Sequence, residues 1–378
     1  MKFSDIAGNI QVKQALVGMA DSGRVPHAML FFENEGCGAL AMILAYLQYL
    51  HCSNRSNGDS CGTCPSCNKI SKLIHPDIHF VFPTNTGTKS GKMASKDVTS
   101  ETYISYFREL ALRNPYFLED ELNDAIGISG KVGNISLAEA KSIVSKLSLS
   151  SVLDGYKVIV MLLPEKMNAV CANKLLKILE EPPTKSLFLM VTHSPEKVMQ
   201  TIFSRCQSTR ILPNTKEEIA KTLIENFSVD PEIANEQANF CGGSLGTALA
   251  AIGNREDSDL YMTIFADLLD SIIRRDLLSS LNAVESITAL DSREKQKAFI
   301  TFAGESIRTI FLLQQGLQQI AGIPHQEQAF YENAAKRLSN KFCGRTLANL
   351  DQTQHLLFRN VNQKILFTDL VDRMFMSI

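Results

Sequence analysis

Residues 171–212 constrain the fold more than any other stretch. Leu175, Leu176 and Leu179 recur at helical spacing with Lys174 and Lys177 on another face, and Pro182-Pro183 stops the helix. Residues 187–191 then form an unbroken apolar run, Leu-Phe-Leu-Met-Val. A strand with no polar alternation is buried on both faces, so it belongs inside a sheet covered by helices rather than at a solvated edge. A turn at His193-Ser194-Pro195 and another short helix deliver Ser204-Arg205-Cys206 to the end of an element. A cation there is positioned to reach something outside its own domain.

Residues 157–163, Lys-Val-Ile-Val-Met-Leu-Leu, read as a second buried strand, and residues 29–32 as a third. The third leads into a loop, 33–38, and a long helix from Ala39 to Leu50. Strand, glycine loop and helix are the setting of a phosphate-binding P-loop, Gly-x4-Gly-Lys-Ser/Thr, whose lysine neutralises phosphates and whose hydroxyl holds magnesium. Aligned on Gly38, the first glycine is replaced by Glu33, the lysine by Ala39 and the hydroxyl by Leu40. The expectation is a strand-to-helix turn with glycines for tight packing and no bound ATP.

Four of the nine cysteines cluster: Cys52, Cys61, Cys64 and Cys67, with eight, two and two residues between them. Thiolates at this spacing fold back on one ion, and Zn2+ is the natural choice for four sulfurs in a reducing compartment, against a redox pair or an iron–sulfur cluster. Four protein ligands leave no open position, so the site is expected to be structural. His51, His75 and His79 are alternative ligands, with ordinary loop histidines the simpler reading. A formal net charge of -2 gives no global electrostatic case for nucleic acid, so any DNA contact must come from local patches. The start, Met1-Lys2-Phe3-Ser4-Asp5, has no apolar signal region, and residues 40–50 are too short to span a bilayer. A cytoplasmic protein with no membrane partner is expected.

Lys174-Leu-Leu-Lys-Ile-Leu-Glu-Glu-Pro-Pro183, followed by Ser204-Arg205-Cys206, resembles the signature of the clamp-loader branch of the AAA+ ATPases. The resemblance implies an α/β AAA+ module over 1–212, a parallel sheet flanked by helices, with the four-cysteine zinc module at 52–67 and an insertion at 84–135. A small helical lid, 213–254, and an all-α collar, 255–378, should follow. In that family the Ser-Arg-Cys arginine is a finger on ATP held by the neighbouring subunit; in related hydrolases such a guanidinium is worth ~10³ to 10⁵ in rate. Leu162 and Leu163 stand where the family carries paired carboxylates for magnesium and water, and Gly246 where it carries a sensor arginine. Thr192 falls at the position of a sensor near nucleotide.

The groups needed to bind and cleave ATP are thus replaced, while Arg205, which acts on a neighbour, is kept. This pattern implies a non-hydrolysing subunit of the bacterial DNA polymerase III clamp loader, no enzyme by itself. It would work as a stator in a hetero-pentamer with motor (gamma/tau-type) and delta-type subunits. The assembly would load the sliding clamp onto primed DNA, with any contact of this subunit to the clamp mainly indirect. The competing readings are an active AAA+ ATPase with an atypical P-loop and a zinc-dependent nucleic-acid module using Arg55, Lys69 and Lys72.

Within 84–135, Lys89, Lys92 and Lys96 are candidate phosphate contacts on a polar loop, with a solvated loop the simpler reading. The insertion has no role that the sequence assigns. Ser136 and Glu139 form a capping-box pattern ahead of a helix to about residue 147. Beyond 255, Ile264, Phe265, Leu268, Leu269, Ile272 and Ile273 make one apolar stripe, and Phe302, Ile307, Ile310 and Phe311 contribute to another. Such stripes are core, with part of the collar's apolar surface expected at subunit joints.

Overall fold

Five strands build the N-terminal sheet: β1 (Ala28–Phe32), β2 (Ile78–Val81), β3 (Lys157–Leu162), β4 (Ser186–Thr192) and β5 (Gln207–Arg210), in the order β2-β3-β4-β1-β5 with every pairing parallel. β3 and β4 are buried at every position, as their unbroken apolar runs require, whereas β5, Gln-Ser-Thr-Arg, is the polar edge. The computed structural model describes all residues except 92–96, 150, 154, 254, 291–292, 319–326 and 358–360, so Lys92 and Lys96 lie outside the described residues. The chain divides into two compact units, Met1–Ala250 and Ala251–Ile378.

In the first unit the helices are α1 (Ile10–Asp21), α2 (Ala39–Leu50), α3 (Pro65–Ser71), α4 (Ile104–Arg113), α5 (Glu119–Ile126), α6 (Leu137–Ser148), α7 (Ala169–Glu180) and α8 (Gln200–Phe203). α9 (Lys216–Phe227), α10 (Pro231–Phe240) and α11 (Leu245–Gly253) follow β5. Alternation along the strands sorts the core. Ala28, Leu30, Ile159, Met161, Phe188 and Met190 pack with Ile143 of α6, Leu175 and Leu179 of α7 and Ile202 of α8. The opposite face is covered by α2, which is buried along its whole length and packs on β4. This is the helix-flanked parallel sheet that the AAA+ resemblance implies.

Two local expectations are corrected. Ser136 makes no capping hydrogen bond, because the Glu139 carboxylate is buried and accepts the Ser100 N–H at 2.6 Å instead. Burial pushes the Glu139 pKa up, against that hydrogen bond. Leu163, read as the last residue of its strand, has already turned into the left-handed region at φ 55°.

The second unit is all helical among its described residues: α12 (Arg255–Ile273), α13 (Leu277–Thr288), α14 (Arg293–Gln314), α15 (Gln328–Arg337), α16 (Asn340–Leu357) and α17 (Gln363–Phe375). Its stripes become one core, with Phe265, Leu268, Ile272, Ile307, Ile310, Phe342 and Phe367 buried together. Among the described residues no helix is long and apolar enough to cross a membrane.

Candidate functional site

Three groups of side chains carry chemistry in the first unit. The first is the cysteine cluster. Cys52 follows the end of α2, Cys64 caps α3 and Cys67 lies within it, with Pro65 at the first helical position. The four sulfurs lie within 4.8 Å of one another, with Cys52 to Cys61 at 3.5 Å and Cys61 to Cys67 at 3.9 Å. Tetrahedral coordination with Zn–S bonds of ~2.3 Å needs sulfurs ~3.8 Å apart, so the four fit one such ion. Backbone N–H groups of Asn54 and Cys61 point at the Cys52 sulfur and that of Cys64 at the Cys61 sulfur. The N–H groups of Thr63 and Cys64 draw the Cys61 thiol down to about 6, favouring the thiolate a metal needs.

Among the described residues no histidine joins this cluster. His51 faces the carbonyls of Leu47 and Tyr156, each at 3.0 Å, and His75 Nδ1 accepts the Asp77 N–H. Burial pushes both His75 and His79 down to about 4. Arg55 is turned towards Asp21 and stacked 5.0 Å over the Tyr49 ring, and Lys89 lies over Tyr106 and donates to the Ala125 carbonyl. These two candidate nucleic-acid contacts are therefore engaged within the chain.

The second group surrounds the loop between β1 and α2, the stretch compared above with a P-loop. Gly36 and Gly38 take positive φ, 77° and 111°, to turn the chain from β1 into α2. The Glu33 carboxylate accepts the Ala39 N–H at 2.7 Å, at the first turn of α2. A helix N-terminus is an anion site by its free N–H groups and its dipole, and here the chain's own carboxylate fills it. The other Glu33 oxygen lies 3.8 Å from His193 Nε2, just beyond β4. Thr192 is fully buried, and its hydroxyl accepts the Ser194 N–H. The space beside Glu33, Gly38, Leu40, Tyr116, Leu163 and His193 is only ≈ 30 Å³, room for one or two waters and not for a nucleotide.

The pairing of Glu33 with His193 has a pH signature. Burial disfavours the imidazolium, but the contact with Glu33, its charge and those of Glu35 and Glu165 outweigh burial and raise the His193 pKa. Stability from a raised histidine is complete below the unfolded value of about 6.5 and is lost as pH rises through the folded value. The stability gap between wild type and His193→Gln should be widest near about pH 5.5, at roughly 1 kcal/mol, and should close by about pH 9. Denaturant unfolding across that range measures it, and a pH-independent gap would contradict the pairing.

The third group is Ser204, Arg205 and Cys206, between α8 and β5. Cys206 Sγ donates to the Ile202 carbonyl, and burial pushes its thiol up to about 11, so it anchors the turn. Arg205 is held by Glu180, the last residue of α7, at 2.5 Å and donates to the Thr201 carbonyl at 2.7 Å. Those bonds use two of its five N–H donors. The position of Arg205 follows from register: Met29 pairs with Gln207 and Phe32 with Arg210. Arg205 therefore lies beyond the N-terminal edge of β1, and Glu33 beyond its C-terminal edge. At ~3.3 Å per residue, more than about 10 Å of strand separates them.

Residues 8–215, more than half of the 378-residue chain, match the family model described as "DNA polymerase III, delta subunit". The chain belongs to this DNA polymerase III family. The match takes in the cysteine cluster, the broken P-loop and Arg205, and stops before α9. The DNA polymerase III subunit delta' of Escherichia coli K12 is 25% identical over 237 residues, 63% of this chain and 58% of that protein. That of Bacillus subtilis 168 is 26% identical over 230 residues, 61% of this chain and 55% of that protein. The chain thus spans little more than half the length of these curated relatives. A gamma subunit-related protein from Thermotoga maritima overlaps 97% of this chain and 99% of its own at a TM-score of 0.42 and 16% identity, too loose to carry an argument.

The four-cysteine cluster was legible in the sequence of this polymerase III family member, and so were the residues that stand at positions 33, 39, 40 and 205. The placement of the Glu33 carboxylate at the start of α2, and the involvement of His193, Glu180 and Tyr116, were not. The available signal was slight: Glu180 is the acidic end of the helix before Pro182-Pro183, and His193 directly follows a buried strand.

Proposed function

We propose that the chain is a delta'-type subunit of a bacterial clamp loader, cytoplasmic, which neither binds nor hydrolyses ATP. It acts as a stator, supplying Arg205 to ATP held by a neighbouring motor subunit. Its partners are motor and delta-type subunits of a hetero-pentamer and, through the assembly, primed DNA and the sliding clamp. Residues 213–254 serve as lid and 255–378 as collar, and Cys52, Cys61, Cys64 and Cys67 hold one structural Zn2+. The observation that carries this reading is the opposed placement of Arg205 and the vestigial site on the sheet. A guanidinium so far from its own P-loop can serve a triphosphate only in trans. The filled anion position at Ala39 and the ≈ 30 Å³ left beside it further support a subunit that takes no nucleotide.

In this reading Glu180 orients the finger. An exposed ion pair is worth about 0–1 kcal/mol, so it sets direction yet yields readily to a triphosphate. In the reconstituted loader, Arg205→Ala should leave assembly intact and lower hydrolysis at the one site it serves by about 10³-fold or more. The total DNA-stimulated rate should fall by that site's share. Glu180→Gln should act in the same direction but more weakly, about 2- to 10-fold, since the guanidinium itself remains. Unchanged hydrolysis with Arg205→Ala would sink the finger.

A further inference from the structure

The clamp-loader role leaves the insertion at 84–135 unused, yet Pro115, Tyr116, Phe117 and Glu119 of that insertion line the vestigial nucleotide site. We infer that this segment is the resident ligand of the site: a strap that fills the place of a nucleotide and locks α9 and α11 to the phosphate loop. The inference rests on the reading that this site takes no nucleotide.

The strap begins with a turn, in which Asn114 Oδ1 accepts the Tyr116 N–H at 2.9 Å, and Phe117 packs edge-on against Phe107 of α4. Tyr116 is buried over the phosphate loop: a β-carbon at Gly38 would lie 2.9 Å from its Cε1. The same ring meets Phe227 of α9 edge-on, with centroids 6.3 Å apart. The Tyr116 carbonyl lies against Gly246, where a β-carbon would approach it to 2.1 Å, and Leu118 lies against both Gly36 and Gly246. At the far end, the Glu119 N–H donates to the Glu35 carboxylate, and the Glu119 carboxylate takes the Lys166 ammonium just after β3.

The strap therefore touches each wall a nucleotide would bridge: the loop after β1, the turn after β3 and the helices after β5. Around it those walls bond directly, with Gly246 N–H to the Gly36 carbonyl at 3.0 Å and the Ser244 hydroxyl to the Glu35 carbonyl at 2.7 Å. A ligand that contacts two bodies favours their closed arrangement, and a free nucleotide does so only while it is bound. A covalently tethered segment has a fixed effective concentration and stays in place. The strap thus gives a constant closure in a subunit whose neighbours change state.

The test is amide hydrogen exchange on the full chain, with Tyr116→Ala, Leu118→Ala and the control Tyr116→Phe. An aromatic side chain of this kind buries about 200 Å², and its truncation opens the junction between strap, loop and helices. Tyr116→Ala should raise exchange of the α11 amides, beginning with Gly246, by about tenfold or more, with β3 and β4 unchanged; Leu118→Ala should do the same to a smaller degree. Tyr116→Phe should leave exchange as in wild type, because the buried Tyr116 hydroxyl has no hydrogen-bond partner to lose. If Tyr116→Ala does not fold, Leu118→Ala decides. Wild-type exchange in α11 in the folded variants overturns the strap. A separate arm adds MgATP to wild type: new protection there would overturn the nucleotide-free reading, whereas the variant arms are read without nucleotide.

Discussion

Removing the metal from the cysteine cluster should destabilise the first unit by at least about 4 kcal/mol, lowering its Tm by about 8–16 °C. Structural zinc contributes about 10–16 kcal/mol of apparent binding free energy in small fingers, where binding and folding are one event. Here part of the local structure has other support, which lowers the figure. The Asp59 carboxylate accepts the N–H groups of Phe3 and Ser4, and Gln48 bonds Ser60 within the buried end of α2. What a bound ion would add is a reason for four sulfurs to share one corner. Cys67 is fully buried, and burial pushes its thiol far above the ordinary range, so without a metal it stays protonated and its neighbours lose their counter-ion. The pH sign follows: metal holds the cysteines as thiolates, so this stability is present at neutral and higher pH and is lost as protons compete at lower pH. Elemental analysis should find one zinc per chain in wild type and none in Cys67→Ser, with the Tm difference read by calorimetry. A metal-free wild type, or a Cys67→Ser variant that melts with it, would remove the site from the account.

Much of the fold was legible because its strands are unambiguous. Residues 187–191 and 157–163 have no polar alternation, which places them inside a covered parallel sheet before any contact is known. The cysteine spacing and the three replacements at Glu33, Ala39 and Leu40 were equally local signals. What could not be read is what the replacements became. Glu33 is a loss in an aligned motif, but in space it is the anion of α2, because the loop's two positive-φ glycines bring its carboxylate back onto the Ala39 N–H. The capping box failed for a related reason: Ser136 and Glu139 have the right spacing, but a residue 39 positions away offers a better N–H. Tyr116 was invisible as a site residue, since nothing in Asn-Pro-Tyr-Phe says that the segment runs back across the loop after β1. Long-range contacts of that kind leave no periodicity.

The second large effect tests that contact from the other side. Gly246→Ala should destabilise the first unit by about 3 kcal/mol or more, because the new β-carbon would lie 2.1 Å from the Tyr116 carbonyl oxygen and 2.9 Å from the Gly36 Cα. Both obstacles are backbone, so no side-chain rotation relieves them, and α11 cannot slide away without breaking the Gly246 N–H bond to Gly36. Gly18→Ala in α1 is the control: its β-carbon would meet nothing within 4 Å, and relief of glycine's backbone entropy should stabilise by about 0.5–1 kcal/mol. Denaturant unfolding of both variants gives the comparison, and a Gly246→Ala variant as stable as wild type would mean that α11 does not lie against the strap. A double variant, with residues 115–118 replaced by Gly-Ser-Gly-Ser, should show Gly246→Ala costing at least about 2 kcal/mol less than in the intact chain, because the obstructing carbonyl is free to move. Full additivity would place the strain elsewhere. The coupling matters for how such a subunit is built. Position 246 is closed to any side chain while residues 116–118 lie against it, so in the proposed reading a glycine here and the segment that packs on it are one feature of the geometry rather than two.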